Sequence, residues 1–98
     1  MITIDIKWYS NVLKALSHPN RLELFLEISQ QQEKNFEECE CFISDITKSL
    51  KIGAPTISHH LKELAGVGLI LTERKGKYLV ARVNKEVLHR LVELFPKV

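Results

Sequence analysis

Apolar residues recur at helical spacing in several stretches of this chain and take up a strand-like pattern in one. Trp8, Val12, Ala15 and Leu16 predict a first helix from about Asp5 to Leu16. Ser17-His18-Pro19-Asn20 punctuates it, with a capping residue and then a proline suited to a helix's first turn. A second helix carries Leu22, Leu24, Phe25, Leu26 and Ile28, apolar around much of its circumference, which predicts the centre of the core. The run Gln30 to Asn35 breaks the pattern and reads as a polar loop. Phe42, Ile43, Ile46 and Leu50 form the buried stripe of a short third helix centred on Ser44 to Leu50, closed by the turn Lys51-Ile52-Gly53-Ala54. The fourth helix begins near Pro55 and buries Ile57, Leu61, Leu64 and Ala65. Gly66 and Gly68 end it. Leu69 to Thr72 and Tyr78 to Val83 then predict a hairpin with its tip at Arg74-Lys75-Gly76-Lys77. Val87, Leu88, Leu91, Val92, Leu94 and Phe95 make a last helix that is apolar on nearly two faces.

The predicted order is ααααββα: mainly α with a small β-hairpin, one domain over residues 1–98. No linker divides it and no repeat recurs. The last helix has more apolar surface than one small core covers, and Trp8 and Tyr9 add to the excess. A homodimer packed through its terminal helices would bury it, with Trp8, Tyr9, Val12, Leu88, Leu91, Val92 and Phe95 as the interface.

An apolar fraction of 45% is that of a folded chain, not a disordered one. No apolar run is long enough to span a bilayer, and Met1 to Asp5 lacks the basic region of a signal peptide. The expectation is a cytoplasmic protein with no membrane partner.

A net charge of +2 says little, but its distribution says more. From Glu33 to Asp45 five acids face one base, a balance of −4. From Ile46 to Arg90 nine bases face three acids, a balance of +6. The basic segment holds two short helices meeting at a tight turn, followed by a hairpin with a cationic tip. That arrangement places one helix in the DNA major groove and a wing beside it, so double-stranded DNA is the expected partner. Thr56, Ser58 and His59 are the candidates for base contacts, and Lys62 and Thr56 reach for phosphate. His60 lies toward the packed side beside Ile57, Leu61 and Leu64, so it is expected to be structural. Arg74, Lys75 and Lys77 supply contacts to phosphate that carry no sequence information.

In its ordered blocks the chain resembles the ArsR/SmtB winged-helix repressors. Leu13 to Leu22 is similar to the family's opening signature, and Ile57 to Leu64 to its recognition helix. Gly66 to Ile70 is similar to the turn that follows, and Arg74 to Lys77 to the wing tip. The resemblance spans about residues 8 to 95. It implies a homodimeric winged helix-turn-helix repressor that leaves its operator when an effector arrives.

Two cysteines, Cys39 and Cys41, stand in the acidic stretch. Thiolate-sensing members of that family carry Cys-x-Cys directly before an Asp-Leu or Asp-Ile pair. Here that pair is Asp45-Ile46, and the matching positions are Phe42 and Ser44. Cys39 and Cys41 lie three residues earlier, near the loop–helix junction. Three readings stand: incidental thiols, a strained and therefore labile disulfide, or a soft metal or metalloid site that needs a further ligand. The family's other common metal site falls on Asn84-Lys85-Glu86 and Lys97, where its ligands are missing.

A winged-helix module that binds protein instead of DNA is the alternative. Against an enzyme stands the lack of any nucleophile–base pair, phosphate-binding glycine loop or catalytic metal motif in the sequence.

Overall fold

The computed structural model describes residues 5–34, 41–43, 46, 50 and 52–96. Among them the chain forms α1 (Ile6–Leu16), α2 (Pro19–Lys34), β1 (Cys41–Phe42), α3 (Ala54–Gly66), β2 (Ile70–Lys75), β3 (Tyr78–Val83) and α4 (Lys85–Glu93). The order of helices and hairpin among the described residues is as expected, apart from one further strand.

Local chemistry explains most of the boundaries. The Asp5 carboxylate accepts from the Trp8 N–H at 3.0 Å and caps α1. Ser17 closes that helix through its hydroxyl, which donates to the Lys14 carbonyl at 2.8 Å, and α2 starts at once with Pro19. Gly53 precedes α3, with Pro55 in the first turn, where a missing N–H costs nothing. At the far end Leu69 N–H donates to Leu64 O and Gly68 N–H to Ala65 O, both at 3.0 Å. Gly68 has φ 84°, so the two bonds form the left-handed cap that glycine favours. That cap turns the chain sharply out of α3 and into the hairpin.

The sheet has the order β1-β3-β2, all antiparallel. The third strand was not anticipated. Cys41 pairs with Ala81 and Phe42 with Val80, so the backbone of both residues belongs to a strand and not to a loop–helix junction or a helix. The hairpin is tighter than expected. Arg74 and Lys75 are strand residues opposite Leu79 and Tyr78, which leaves Gly76 and Lys77 as the turn. Gly76 has φ 62°, as the first position of a two-residue hairpin turn demands.

Two further expectations need correction. Gln30 to Lys34 continue α2 as helix, because Gln, Glu and Lys are good helix formers even where no apolar stripe supports them. That helix buries one face only: Leu24, Phe25 and Ile28 are in the core, whereas Leu22 and Leu26 are exposed. The short helix expected over residues 44–50 lies largely outside the described residues. Of it, Ile43, Ile46 and Leu50 are buried, and Leu50 N–H donates to Ile46 O at 2.9 Å, a helical spacing.

One core joins Val12 and Ala15 of α1, Leu24, Phe25 and Ile28 of α2, Ile57, Leu61 and Leu64 of α3, the sheet residues Ile70, Ala81 and Val83, and Leu91 of α4. Leu64 has no exposed surface and anchors the cap at the end of α3. Leu64→Ala should therefore lower stability by about 2–5 kcal/mol in urea denaturation. A loss under about 1 kcal/mol would show that the core collapses freely around that site.

Candidate nucleic-acid interface

Helix α3 divides cleanly into two sides. Ile57, His60, Leu61 and Leu64 are buried, while Thr56, Ser58, His59, Lys62 and Glu63 are exposed. The inward side packs against α1, α2 and β2, so the outward side is held by a rigid support. The four residues of α3 expected to meet DNA are thus all on the surface, on the face opposite the buried one. Ser58 and Lys62 line a cleft of about 220 Å³ between α3 and the hairpin, opposite Thr72 and Arg74, with Leu61, Ala65 and Leu79 as its apolar floor. His59 is not among the residues that line the cleft, and its ring is 5.8 Å from that of His60.

The wing cations divide in the same manner. Thr72 and Arg74 share the sheet face that looks onto α3, as the strand alternation requires. Lys75 alternates to the opposite face, and Lys77 sits in the turn with its ammonium 5.5 Å above the Tyr78 ring. Arg82 is engaged elsewhere, 3.7 Å from Glu73 in an exposed ion pair. Thr72 was not singled out from the sequence. Its signal was the two-residue period of the hairpin, which puts it in step with Arg74.

His60 is the buried polar residue of this region, 3% exposed. Its Nδ1 accepts from Arg21 Nε at 3.5 Å, and Arg21 also donates to the Ala15 carbonyl at 3.3 Å. One guanidinium therefore spans the last turn of α1 and the inner side of α3. His60 Nε2 is buried without a hydrogen-bond partner among the described residues. The His18 ring lies 4.8 Å from that of His60 at 52°. Loss of hydration lowers the His60 pKa below the ordinary histidine value, with the neighbouring His18, Arg21 and His59 acting in the same direction against Glu63. Arg21 and His18 escaped the sequence reading because 39 and 42 positions separate them from His60.

The remaining expectations fall on the ends of the chain and on the cysteines. Val12 and Leu91 are buried in the subunit's own core, so they support the terminal helices and offer no surface to a second subunit. Trp8, Tyr9 and Leu88 are half-buried, and Val92 and Phe95 are exposed, as are Ile6 and Leu13. Arg90 of α4 stands 6.0 Å over the Trp8 ring of α1, a single point of approach between the two helices. Cys39 lies outside the described residues, and Cys41 is placed by its backbone alone. Among the described residues no group of three His, Cys, Asp or Glu side chains can hold a metal ion. None of their helices is long and apolar enough to cross a membrane.

Known proteins share both the sequence and the fold. The family model described as bacterial regulatory protein, arsR family, matches residues 18–72. An arsenical resistance operon repressor of Staphylococcus xylosus is 34% identical over 85 residues, which span 87% of this chain and 74% of that protein. The transcriptional repressor SdpR of Bacillus subtilis is 32% identical over 79 residues, 81% of this chain and 79% of SdpR. Among solved structures, an ArsR-like transcriptional regulator from Rhodococcus sp. RHA1 superposes with a TM-score of 0.74 at 20% identity, covering 90% of this chain and 76% of that one.

The buried histidine makes stability depend on pH with a definite sign. Its folded pKa lies below the unfolded value, so the unfolded chain binds the additional proton. Stability from His60 is complete above the ordinary histidine range, near 6.5, and is lost as pH falls from there through the lowered pKa. Urea midpoints should accordingly drop between about pH 7 and about pH 5 in the parent, and drop less in His60→Gln. Equal pH dependence in both proteins would remove His60 as the source.

Proposed function

The chain belongs to the arsR family of bacterial regulatory proteins and is a DNA-binding transcriptional repressor; we propose that it acts as a homodimer in the cytoplasm. One observation carries the reading: α3 is fixed along Ile57, Leu61 and Leu64 while Thr56, Ser58, His59 and Lys62 face outward beside a cationic wing. A duplex seated on this face meets base readers at Thr56, Ser58 and His59. Its backbone meets Lys62 and Arg74 in the cleft, and Lys75 and Lys77 farther along the wing. Relatives named as repressors support the direction of the regulation.

Dimerisation is supported by the apolar stripes that a single subunit leaves uncovered. Ile6, Tyr9 and Leu13 form one along α1, and Leu88, Val92 and Phe95 follow the same spacing on and just beyond α4. A second copy supplies matching stripes by symmetry. Two α3 helices related by a twofold axis read an inverted repeat with half-sites about one helical turn, or a multiple of it, apart.

The effector reading rests on the two cysteines, the chain's whole supply of thiol. Several relatives are named for arsenical resistance, and thiolates favour soft ions of that kind. On this reading, release by a soft ion or by an oxidant runs through Cys39 and Cys41. An ion held there needs at least one further ligand, which a second subunit can bring.

Fluorescence anisotropy with duplex DNA from the gene's own upstream region tests the proposal. With roughly four phosphate contacts per subunit, log affinity should fall against log salt with a slope of about −7. Arg74→Ala should weaken specific and scrambled duplexes alike, whereas His59→Ala should also change the preferred sequence. Trivalent arsenic or a mild oxidant should release the parent and leave a Cys39→Ser/Cys41→Ser variant bound. Failure to bind any duplex at low salt would transfer this surface to a protein partner.

A further inference from the structure

Arg21 and His60 meet where three elements converge, and neither has any part in the contacts assigned above to bases, phosphates or thiols. Arg21 stands on α2 and bonds the Ala15 carbonyl on α1 and Nδ1 of His60 on α3. An Nδ1 that accepts a hydrogen bond carries no proton, so the neutral ring holds its hydrogen on Nε2, where it is buried and unmatched among the described residues. We propose that Arg21 and His60 form a proton-released clamp on the DNA-reading helix: neutral His60 ties α3 to the α1–α2 corner, and protonation of Nδ1 unties it and weakens DNA binding. The proposal rests on the repressor reading and adds a control to it.

The balance of the step is simple. One proton from solvent enters the Nδ1 lone pair that Arg21 Nε had been using. Two N–H groups then point at one another, and an imidazolium stands beside a guanidinium. The groups facing His60 make the new charge hard to hold. Arg21 approaches from α2, His18 from the α1–α2 turn and His59 from α3 itself, all cationic or able to become so, against the single carboxylate of Glu63. Burial at 3% exposure leaves the ring little water to compensate. The lowered pKa keeps the clamp shut near neutrality and opens it in acid.

The sign of the effect sets it apart from ordinary phosphate electrostatics. Added positive charge on a phosphate-facing surface strengthens binding. Opening the clamp does the reverse.

Anisotropy of the parent on its own upstream duplex, at constant salt, should show roughly tenfold weaker binding at about pH 5 than at about pH 7.5. Circular dichroism should record intact helices at both. His60→Gln, whose amide oxygen still accepts from Arg21 but does not titrate, should lose that dependence. Arg21→Gln removes the clamp itself, so the variant should bind more weakly at about pH 7.5 and lose most of the drop. His59→Gln, whatever it does to affinity at about pH 7.5, should keep the ratio between the two pH values. Binding by the parent that is flat or tighter in acid, or a drop that disappears with His59 and not with His60, overturns the clamp. So does loss of helix signal in step with binding, which assigns the effect to unfolding.

Nuclear magnetic resonance of the free protein separates this idea from the reading beneath it. The His60 ring, the Arg21 Nε–H and the α3 amides should titrate together in the parent. In Arg21→Gln the α3 response should shrink. Absence of DNA binding at about pH 7.5 overturns the repressor reading, and the clamp is then decided by those resonances: independent titration of the three groups overturns it, and concerted titration upholds it.

Discussion

Ile57, Leu61 and Leu64 hold α3 by one side against α1, α2 and β2, and the positions of the other elements follow from keeping that side covered. Each such side chain contributes about 1.5–3 kcal/mol when fully buried. A single long hydrogen bond such as Arg21 to His60 contributes only about 0.5–1.5 kcal/mol. The apolar stripe therefore decides whether α3 is present, and the polar corner decides how it is aimed. Losing a proton-sensitive bond at that corner re-aims a helix that the stripe keeps folded. The glycine cap after Leu64 serves the same end from the other direction, because it brings β2 back across α3 and puts Thr72 and Arg74 opposite Ser58 and Lys62.

The legible parts of this fold were those with a period or a cap. The stripe of α3, the proline in its first turn, the paired glycines after it and the alternation of the hairpin all survive as structure. The illegible parts lack both. A two-residue strand has no period to detect, so Cys41 and Phe42 resembled the start of the helical stripe that follows. The polar end of α2 is helical through backbone propensity alone and carries no apolar signal. Leu22 and Leu26 read as core because composition does not say which face of a helix finds a partner.

The candidate site divides along the same line. Outward residues were legible because they are what remains when the inward stripe is removed, and Thr56, Ser58, His59 and Lys62 are exposed accordingly. His60 was legible as a packed residue for the same reason. Its partners were not, since the contact of Arg21 with His60 is made by tertiary folding across 39 positions and leaves no local pattern. The place of the readers, with Ser58 and Lys62 lining the cleft beside the wing and His59 not among its lining residues, also depends on where the neighbouring elements lie. Terminal-helix positions show the converse: Val12 and Leu91 have the right type and spacing for an interface, yet they complete the core of their own subunit.

The short strand gives the backbone of Cys41 and Phe42 a fixed relation to the cleft beside α3. Cys41 pairs with Ala81, and Ala81 pairs with Thr72, so the three residues form one row across the sheet. Thr72 is the residue that lines the cleft with Ser58, Lys62 and Arg74. Only β3 stands between the cysteine-bearing strand and that cleft. Any chemistry that shifts β1 against β3 strains hydrogen bonds shared with the wing, and it does so from a segment whose charge is opposite to that of the wing. The histidine corner reaches α3 from the opposite side, through α1 and α2. The reading helix thus lies between two supports of different chemistry, one that answers to protons and one that carries a thiol.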